Sequence, residues 1–289
     1  MAPTSIDVTT ATDGALKDLV VQLTGSEEDK HRMTVATAIA RTFGAHLIGA
    51  HLHVLPDILD ITDPVQSGTI RTLLERSEQE ANGNFDILTS EFAHLPVSHE
   101  LRRLHGFSAE LGLDLAALAR GADLFIGTRP YGDPEGQHRI EEQALYESGR
   151  SCLFLPPGGT PHQHFETIAV AWDPSREAAR AVAEAMPFLV RATKVFLIHV
   201  VSTLDEPKET AAELARITAH LLRHGVRAEP LTVPFLNSTG EAIEQAAHQH
   251  GADLIVMGAY GHRRLVELVF GGATRYILRH ATLPVLMAH

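Results

Sequence analysis

An internal repeat constrains the fold of this chain more than any other feature of its sequence. Four segments of the first half recur in the second half in the same order, each pair sharing its pattern of apolar and small residues. The pairs are GADLFIG (121–127) and GADLIVMG (251–258), LVVQLTGS (19–26) and IAVAWDPS (168–175), AHLIGAHLHV (45–54) and TKVFLIHVVS (193–202), and CLFLPP (152–157) and PVLMAH (284–289). Since four landmarks in one order are hard to obtain by chance, the repeat predicts a duplicated domain.

Within each copy, apolar runs typical of strands alternate with segments of helical periodicity. In the second copy the predicted helices open at Asp173 and cover 206–224, 241–250 and 272–280, and the predicted strands are 167–171, 195–201, 229–233, 254–257 and 285–288. Strands that alternate with helices are joined by right-handed crossovers into parallel sheets. The sequence therefore predicts an α/β fold of two tandem doubly wound parallel-sheet domains, Rossmann-like or flavodoxin-like in type.

The boundary between the two copies is marked by the segment PPGGTPHQHFE, residues 156–166. This segment is rich in turn residues and has no hydrophobic period. We therefore expect a first domain at 1–157, a linker at 158–166 and a second domain at 167–289.

Composition excludes several classes of protein. The 289 residues carry a net charge of −12, which argues against a general nucleic-acid binder. The single cysteine, Cys152, excludes an intramolecular disulfide and favours a reducing compartment. The chain has neither an apolar run of about 18 residues nor a basic start followed by an apolar core, so we expect no membrane span, no signal peptide and a cytoplasmic location.

Four glycines stand in GAYGHRRLVELVFGGAT, residues 258–274. Glycine after a strand and before a helix is common turn punctuation, and the spacing is neither G-x-x-x-x-G-K-[ST] nor G-x-G-x-x-G. A second interpretation is a phosphate cradle, because glycine lets the backbone approach a ligand and the next helix begins with unpaired amides. Spacing alone leaves both interpretations open.

The motif G-x2-G-x9-G, here Gly258, Gly261 and Gly271, resembles the ATP-binding motif of the universal stress protein family. The flanking segments ADLIVMGAYG and ATLPVLMAH are also similar to that family. The resemblance extends over nearly the whole chain as two tandem copies, strongly in 167–289 and more weakly in 17–157. It implies an adenine-nucleotide-binding fold with ATP as cofactor, Mg²⁺ as a further candidate, and no dedicated catalytic triad.

The resemblance also implies a set of binding residues in the second copy. The adenine and ribose would meet the ends of the first two strands, and the glycine-rich segment would meet the phosphates. The implied residues are Ala171, Trp172, Asp173, Val200, Met257, Gly258, Gly261, Gly271, Gly272, Ala273 and Thr274.

Three of these residues have alternatives or depart from the family pattern. Asp173 suits a ribose hydroxyl or a metal bridging to phosphate, but before Pro174 it is also a good helix N-cap. Trp172 could stack on adenine or simply pack. Gly272 stands where the family usually has Ser or Thr, so a hydroxyl for the terminal phosphate is missing and Thr274 is the nearest substitute.

The first copy lacks the motif. Thr128 and Tyr131 stand in register with Gly258 and Gly261, and Thr24 replaces Asp173. Arg139 and Ile140 lie near the positions of Gly271 and Gly272, and Glu141 and Glu142 follow where phosphate would have to sit. We therefore expect this copy to have lost the nucleotide site and to serve as a packing and regulatory partner.

The 18 histidines raise the possibility of a metal site. The H-x-H pairs are His51/His53, His162/His164 and His248/His250. None has a cysteine or carboxylate at ligand spacing in the sequence, so no metal ligand is assigned. Cys152 is expected in the core, and no nucleophile–base pair is found, so no catalytic residue is assigned.

Three functions remain open. The first is an ATP-binding regulatory or stress-response protein in which the last strands of the two copies pair as an internal pseudo-dimer, with two chains forming a homodimer. The second is a slow ATP-hydrolysing enzyme with His262, Arg263 and Arg264 as phosphate clamps. The third is an interaction module that binds no nucleotide.

Overall fold

A computed structural model describes residues 16–56, 67–131, 138–201, 208–260 and 272–289. Its ten strands are β1 (Asp18–Leu23), β2 (His46–Val54), β3 (His99–Gly106), β4 (Leu124–Thr128), β5 (Ser151–Leu155), β6 (Thr167–Ala171), β7 (Lys194–Val201), β8 (Ala228–Pro234), β9 (Leu254–Gly258) and β10 (Val285–Ala288). The helices in these ranges are α1 (Glu28–Phe43), α2 (Ser67–Phe92), α3 (Ser108–Arg120), α4 (His138–Glu147), α5 (Arg176–Leu189), α6 (Lys208–Arg223), α7 (Thr239–Gln249) and α8 (Ala273–His280).

All the strands lie in one sheet, in the order β3-β2-β1-β4-β5-β10-β9-β6-β7-β8. Neighbouring strands are parallel except at the centre, where β5 and β10 pair antiparallel and Leu153 lies opposite Leu286. The order is therefore the same in each half, counted outward from this central pair. The α/β fold of doubly wound parallel sheets that the sequence predicts is confirmed.

Alternating side chains divide the core into two apolar clusters, one on each face of the sheet. The first cluster joins α1, α2, α5 and α6 to residues such as Val21 and Val170, and the second joins α3, α4, α7 and α8 to residues such as Val20 and Ala169. Strands such as β4, β5 and β10 are buried along their whole length because helices cover both faces.

A repeated hydrogen-bond arrangement fixes which residues of the two halves are equivalent. The carboxylate of Asp123 accepts from the backbone amides of Lys17 and Asp18. The carboxylate of Asp253 accepts in the same way from the amides of Glu166 and Thr167. Strand register then makes Leu19 equivalent to Ile168 and Leu124 to Leu254.

The described second-half elements agree with the sequence prediction to within three residues, but the residue that caps α5 differs. Asp173 is one candidate N-cap in the sequence, whereas α5 begins at Arg176 and Ser175 caps it by accepting from the amide of Ala178. Ser175 is the cap because its hydroxyl accepts from the backbone amide three residues further along the chain, which is the usual geometry of an N-cap.

Two further observations concern the organisation of the chain. Residues 156–166 form no helix or strand, and the domain boundaries assigned around them stay a prediction. Across the stretches that the structure describes, no helix combines the length and apolar character needed to cross a membrane.

Candidate functional site

The carboxyl ends of β6, β7 and β9 meet the start of α8 at one edge of the sheet. Ala171, Val200, Met257 and Ala273, four of the residues implied by the resemblance, belong to or pack against the same apolar cluster, on the face covered by α7 and α8. They form a wall of small and medium apolar side chains at the edge where open α/β sheets bind ligands.

Part of the implied site lies outside the described residues. Gly261 and Gly271 fall in this category, as do the candidate clamps His262, Arg263 and Arg264. The remaining implied residues can be placed, and they do not all lie on one face.

Trp172 packs against the apolar cluster on the other face of the sheet from Ala171, Val200, Met257 and Ala273. It lines a cavity of about 270 Å³ together with Pro174, Glu213, Arg216, Ile217 and His220. Its buried indole Nε1 has no hydrogen-bond partner among the described residues. This position favours packing over stacking on a base held at the α8 face.

Asp173 stands just beyond the end of β6. Its carboxylate oxygen Oδ1 accepts a hydrogen bond of 2.6 Å from the hydroxyl of Ser175. Since Ser175 caps α5, Asp173 supports the cap from outside the helix and is not itself the cap.

Gly258, at the end of β9, has a packing reason to be glycine. A Cβ on this residue would lie 2.5 Å from the backbone nitrogen of Ala178 and 2.6 Å from the carbonyl carbon of Glu177. Contacts this short with backbone atoms require α5 to move. The first glycine of the motif therefore lets α5 pack directly on β9, whatever else it does.

The N-terminus of α8 lacks a side-chain cap. Gly272 is the N-cap and makes no capping hydrogen bond, whereas Ser175 and Ser238 cap α5 and α7 with their hydroxyls. The first turn of α8 also contains no acidic residue. The first amides of a helix carry partial positive charge, so the position suits an anion.

Thr274 anchors the backbone that leads into the glycine-rich segment. Its buried hydroxyl accepts a 3.0 Å hydrogen bond from the backbone amide of Tyr260. Tyr260 has φ of 57°, and its ring stacks on that of Tyr146 with centroids 4.6 Å apart. This bond uses an acceptor lone pair of the Thr274 hydroxyl and holds its oxygen in place, while the O–H can still donate, so Thr274 stays a candidate substitute for the missing Ser or Thr at 272.

In the first half, two polar side chains fill the equivalent place. By strand register Gln22 is equivalent to Ala171, and the buried positions of the last helices match Glu141 with Thr274. Gln22 Nε2 donates a 2.6 Å hydrogen bond to Glu141 Oε1, and both residues are buried. A bulky pair that includes a carboxylate therefore occupies the face where the second half has alanine and threonine.

The first-half residues that correspond to the glycine-rich segment are either buried, hydrogen-bonded to one another, or outside the described residues. Ile140 is buried, and the hydroxyl of Tyr131 donates to Glu142 at 2.7 Å. Burial, with help from this hydrogen bond to Glu142, raises the pKa of Tyr131. The side chain of Arg139 lies outside the described residues.

A second polar network in the first half uses Thr24 and Thr128, the counterparts of Asp173 and Gly258. The guanidinium of Arg32, with no exposed surface, donates to the hydroxyls of both threonines, at 2.7 Å and 2.9 Å. It also forms a 2.6 Å ion pair with Asp29. Sequence reasoning did not find this network, because nothing in the sequence around Arg32 distinguishes it from a helix-surface arginine.

The histidines of the H-x-H pairs make different contacts in the structure. His162 lies beside the ring of Phe165, His248 bonds to Thr282, and His250 bonds to the carbonyl of Ala246. His51 is buried against Phe85, and burial lowers its pKa to about 4.

The fold brings His53 together with a carboxylate that the sequence spacing does not reveal. His53, Glu78 and His105, from β2, α2 and β3, place one ligand atom each within 4.8 Å of one another. This is the grouping of possible metal ligands found among the described residues.

Cys152 lies in the core, as the sequence predicts. Its side chain is fully buried in β5, and burial raises the pKa of the thiol. A thiol that stays protonated and inaccessible is a poor nucleophile.

Comparisons with known proteins identify the family that this chain resembles and support its fold. The model of the universal stress protein family matches residues 164–289. A curated universal stress protein from Synechocystis sp. is 28% identical over 148 residues, which cover 50% of this chain and 49% of that protein. This chain therefore aligns with about half the length of that relative.

Two solved structures resemble the whole chain. A universal stress protein from Archaeoglobus fulgidus DSM 4304 superposes with a TM-score of 0.71 at 15% identity, over 94% of this chain and 95% of that one. A putative universal stress protein from Pseudomonas aeruginosa UCBPP-PA14 gives a TM-score of 0.59 at 14% identity, over 96% and 94%. At these identities the likeness establishes the fold across both halves.

Proposed function

Residues 164–289 belong to the universal stress protein family, and we propose that this half of the chain binds ATP as a regulatory ligand. The nucleotide lies at the edge formed by the ends of β6, β7 and β9 and the start of α8. We assign no catalytic residue to this site. In this proposal the bound nucleotide acts as a signal or a stabilising ligand in a stress response.

One observation carries the proposal, namely the difference between the two halves at equivalent positions. The second half has small side chains, Ala171 and Thr274, on the face where the first half has the buried Gln22–Glu141 pair. An apolar wall next to an uncapped helix N-terminus suits a base and its phosphates. A buried carboxylate at the same place repels phosphate.

Each part of ATP has a matching group in the second half. Val200 and Met257 offer apolar contact to adenine, and the carboxylate of Asp173 can accept from a ribose hydroxyl or help to hold Mg²⁺ against the phosphates. The amides at the start of α8 bind phosphate, with Gly272 contributing backbone only. Gly258, Gly261 and Gly271 complete the family motif.

We assign a structural role to the first half. Its polar networks occupy the counterpart of the nucleotide site, and its last strand pairs with that of the second half. We propose that this pairing makes the chain an internal pseudo-dimer, and that two chains associate as a homodimer.

Calorimetry with ATP and the nucleotide-free full chain tests the proposal. We expect one site per chain. Ala171→Gln introduces the bulkier first-half side chain and should weaken binding because it fills the space left for the base. Asp173→Ala should weaken binding about tenfold or more, the value of a hydrogen bond to a charged group. Thr24→Ala, the matched change in the first half, should leave ATP affinity unchanged.

The other candidate functions give different results. Sustained phosphate release from added ATP, above the rate in buffer alone, would identify an enzyme. The absence of binding at millimolar ATP, with no nucleotide released from the purified protein on denaturation, would leave an interaction module. Equal losses in Asp173→Ala and Thr24→Ala would contradict the assignment of the site to the second half.

A further inference from the structure

A group of three side chains near the ends of β2 and β3 has the composition of a metal site. The Nδ1 atoms of His53 and His105 lie 2.8 Å apart. Glu78 Oε2 lies 3.4 Å from Nδ1 of His53 and 3.9 Å from Nδ1 of His105. Ligands about 2.1 Å from a tetrahedral zinc ion are separated by about 3.4 Å, so the three distances differ from that value by about 0.6 Å or less, and small side-chain rotations would bring the ligand atoms to it.

The buried member of the group is held in a suitable orientation. His53 is 4% exposed, and its Nε2 lies 2.9 Å from the hydroxyl of Ser77. If Nε2 donates to Ser77, Nδ1 is left as a lone-pair nitrogen that faces Glu78 and His105. A hydrogen bond from the second ring nitrogen is the usual way in which proteins orient a metal-binding histidine.

We propose that His53, Glu78 and His105 bind a divalent transition-metal ion of the zinc class. Two imidazole nitrogens and one carboxylate oxygen suit Zn²⁺ and its neighbours Co²⁺ and Ni²⁺ rather than Mg²⁺ or Ca²⁺. Three protein ligands leave a position for water. His105 and Glu78 are about half exposed, which gives an ion access from solvent.

Arg103 tunes this site by competing for it. Its Nη2 lies 3.0 Å from both His53 Nδ1 and Glu78 Oε1, and its Nη1 donates to Asn82. A metal ion on His53 Nδ1 must take the lone pair to which Arg103 donates, while Arg103 can keep Glu78 Oε1 and Asn82. The guanidinium charge therefore weakens metal binding without removing the ligands.

The site belongs to the first half alone. The strand register makes Val201, Thr232 and Pro234 the counterparts of His53, Arg103 and His105. None of these three is a metal ligand. The metal proposal is therefore independent of ATP binding in the second half and can fail or succeed separately from it.

Titration of the tag-free, EDTA-treated full chain with Zn²⁺ tests the proposal. We expect one Zn²⁺ per chain, and Co²⁺ in its place should give visible absorption bands of a low-symmetry, nitrogen- and oxygen-bound ion. His105→Ala and Glu78→Gln change half-exposed side chains and should each weaken Zn²⁺ binding at least about tenfold. Arg103→Met should tighten Zn²⁺ binding, a result that a purely structural hydrogen-bond cluster does not give.

His220 and His224, whose rings lie 4.7 Å apart on α6, provide the control because they form another pair able to hold Zn²⁺. The double variant His220→Ala/His224→Ala should bind Zn²⁺ as the wild type does. Loss of binding in that variant would overturn the proposal. So would an undiminished affinity in His105→Ala, an affinity in Arg103→Met no higher than that of the wild type, or a wild-type chain that binds no Zn²⁺.

Discussion

Arg32 illustrates how a single residue can replace a packing solution used elsewhere in the same molecule. In the second half, Gly258 allows α5 to lie directly against β9. In the first half the counterpart is Thr128, and the side chain of Arg32 joins its hydroxyl to Asp29 and Thr24. Thus the same contact between helix and strand is made by close backbone approach in one half and by a hydrogen bond from a buried arginine in the other.

Arg32→Met should strongly destabilise the chain. Removing one partner of a buried ion pair costs about 3–5 kcal/mol, and we expect about 3 kcal/mol because Asp29 keeps the backbone amides of Thr24 and Gly25. Denaturant unfolding monitored by circular dichroism measures the loss.

Lys30→Met on the same helix is the control for Arg32→Met. The Lys30–Glu27 pair is 73% and 91% exposed, so its removal should leave the unfolding midpoint close to that of the wild type. Similar midpoints for the Arg32 and Lys30 variants would show that burial of the Arg32 network contributes nothing.

The residues named above also show where sequence reasoning reaches its limit. The sequence predicts Cys152 in the core because it stands in an apolar run. It could not reveal Arg32 or Glu78, because each lies on an ordinary polar helix segment and acquires its partners from strands far away in the chain. The sequence also could not identify the cap of α5. Asp173 and Ser175 are both good capping residues, and the structure shows that Ser175 is the one that caps the helix.

At the scale of elements, α8 resembles α1 and α3 in having no side-chain hydrogen bond from its N-cap residue. Serine hydroxyls cap α5 and α7, whereas Gly272 offers α8 none. Glycine in place of serine at an N-cap costs only about a few tenths of a kcal/mol of helix stability. An anion bound to the first amides of α8 would offset that cost, which is the physical link between this helix and the proposed nucleotide.

Gly272→Ser should raise ATP affinity if the phosphates lie at this N-terminus. Gly272 has φ of −53° and ψ of 147°, a conformation open to serine. The new hydroxyl supplies a hydrogen bond to a charged group, so we expect binding to be tighter by about tenfold or more. Calorimetry compares the variant with the wild type.

Gly272→Ala separates the effect of the hydroxyl from that of the backbone. It removes the same glycine flexibility but adds no donor, so its ATP affinity should stay near that of the wild type. If the serine and alanine variants bind ATP equally, the hydroxyl does not reach the phosphates and the proposed placement of the nucleotide is wrong.

At the scale of the whole molecule, the two halves are joined by a continuous sheet as well as by the chain segment between them. The last strand of each half would otherwise be an exposed edge, and β5 and β10 cover each other by pairing. The sequence predicts this pairing of CLFLP with PVLMA. The alignment of the two copies over this strand is one residue out in the sequence comparison. The structure makes Val285, and not Pro284, the residue of the second copy that is equivalent to Cys152.

Met287→Cys should allow a disulfide with Cys152 that joins the two halves. These residues lie directly opposite each other in the antiparallel pair. Opposite residues in such a pair have Cα atoms about 4.5–5.5 Å apart, within the range that a disulfide spans. Oxidative refolding followed by mass spectrometry of tryptic peptides should detect the link.

Leu286→Cys is the control, because residue 286 faces the other side of the sheet beside Leu153 and should remain a free thiol. A disulfide in the Leu286→Cys variant and none in Met287→Cys would mean that the central strands pair one residue out of register.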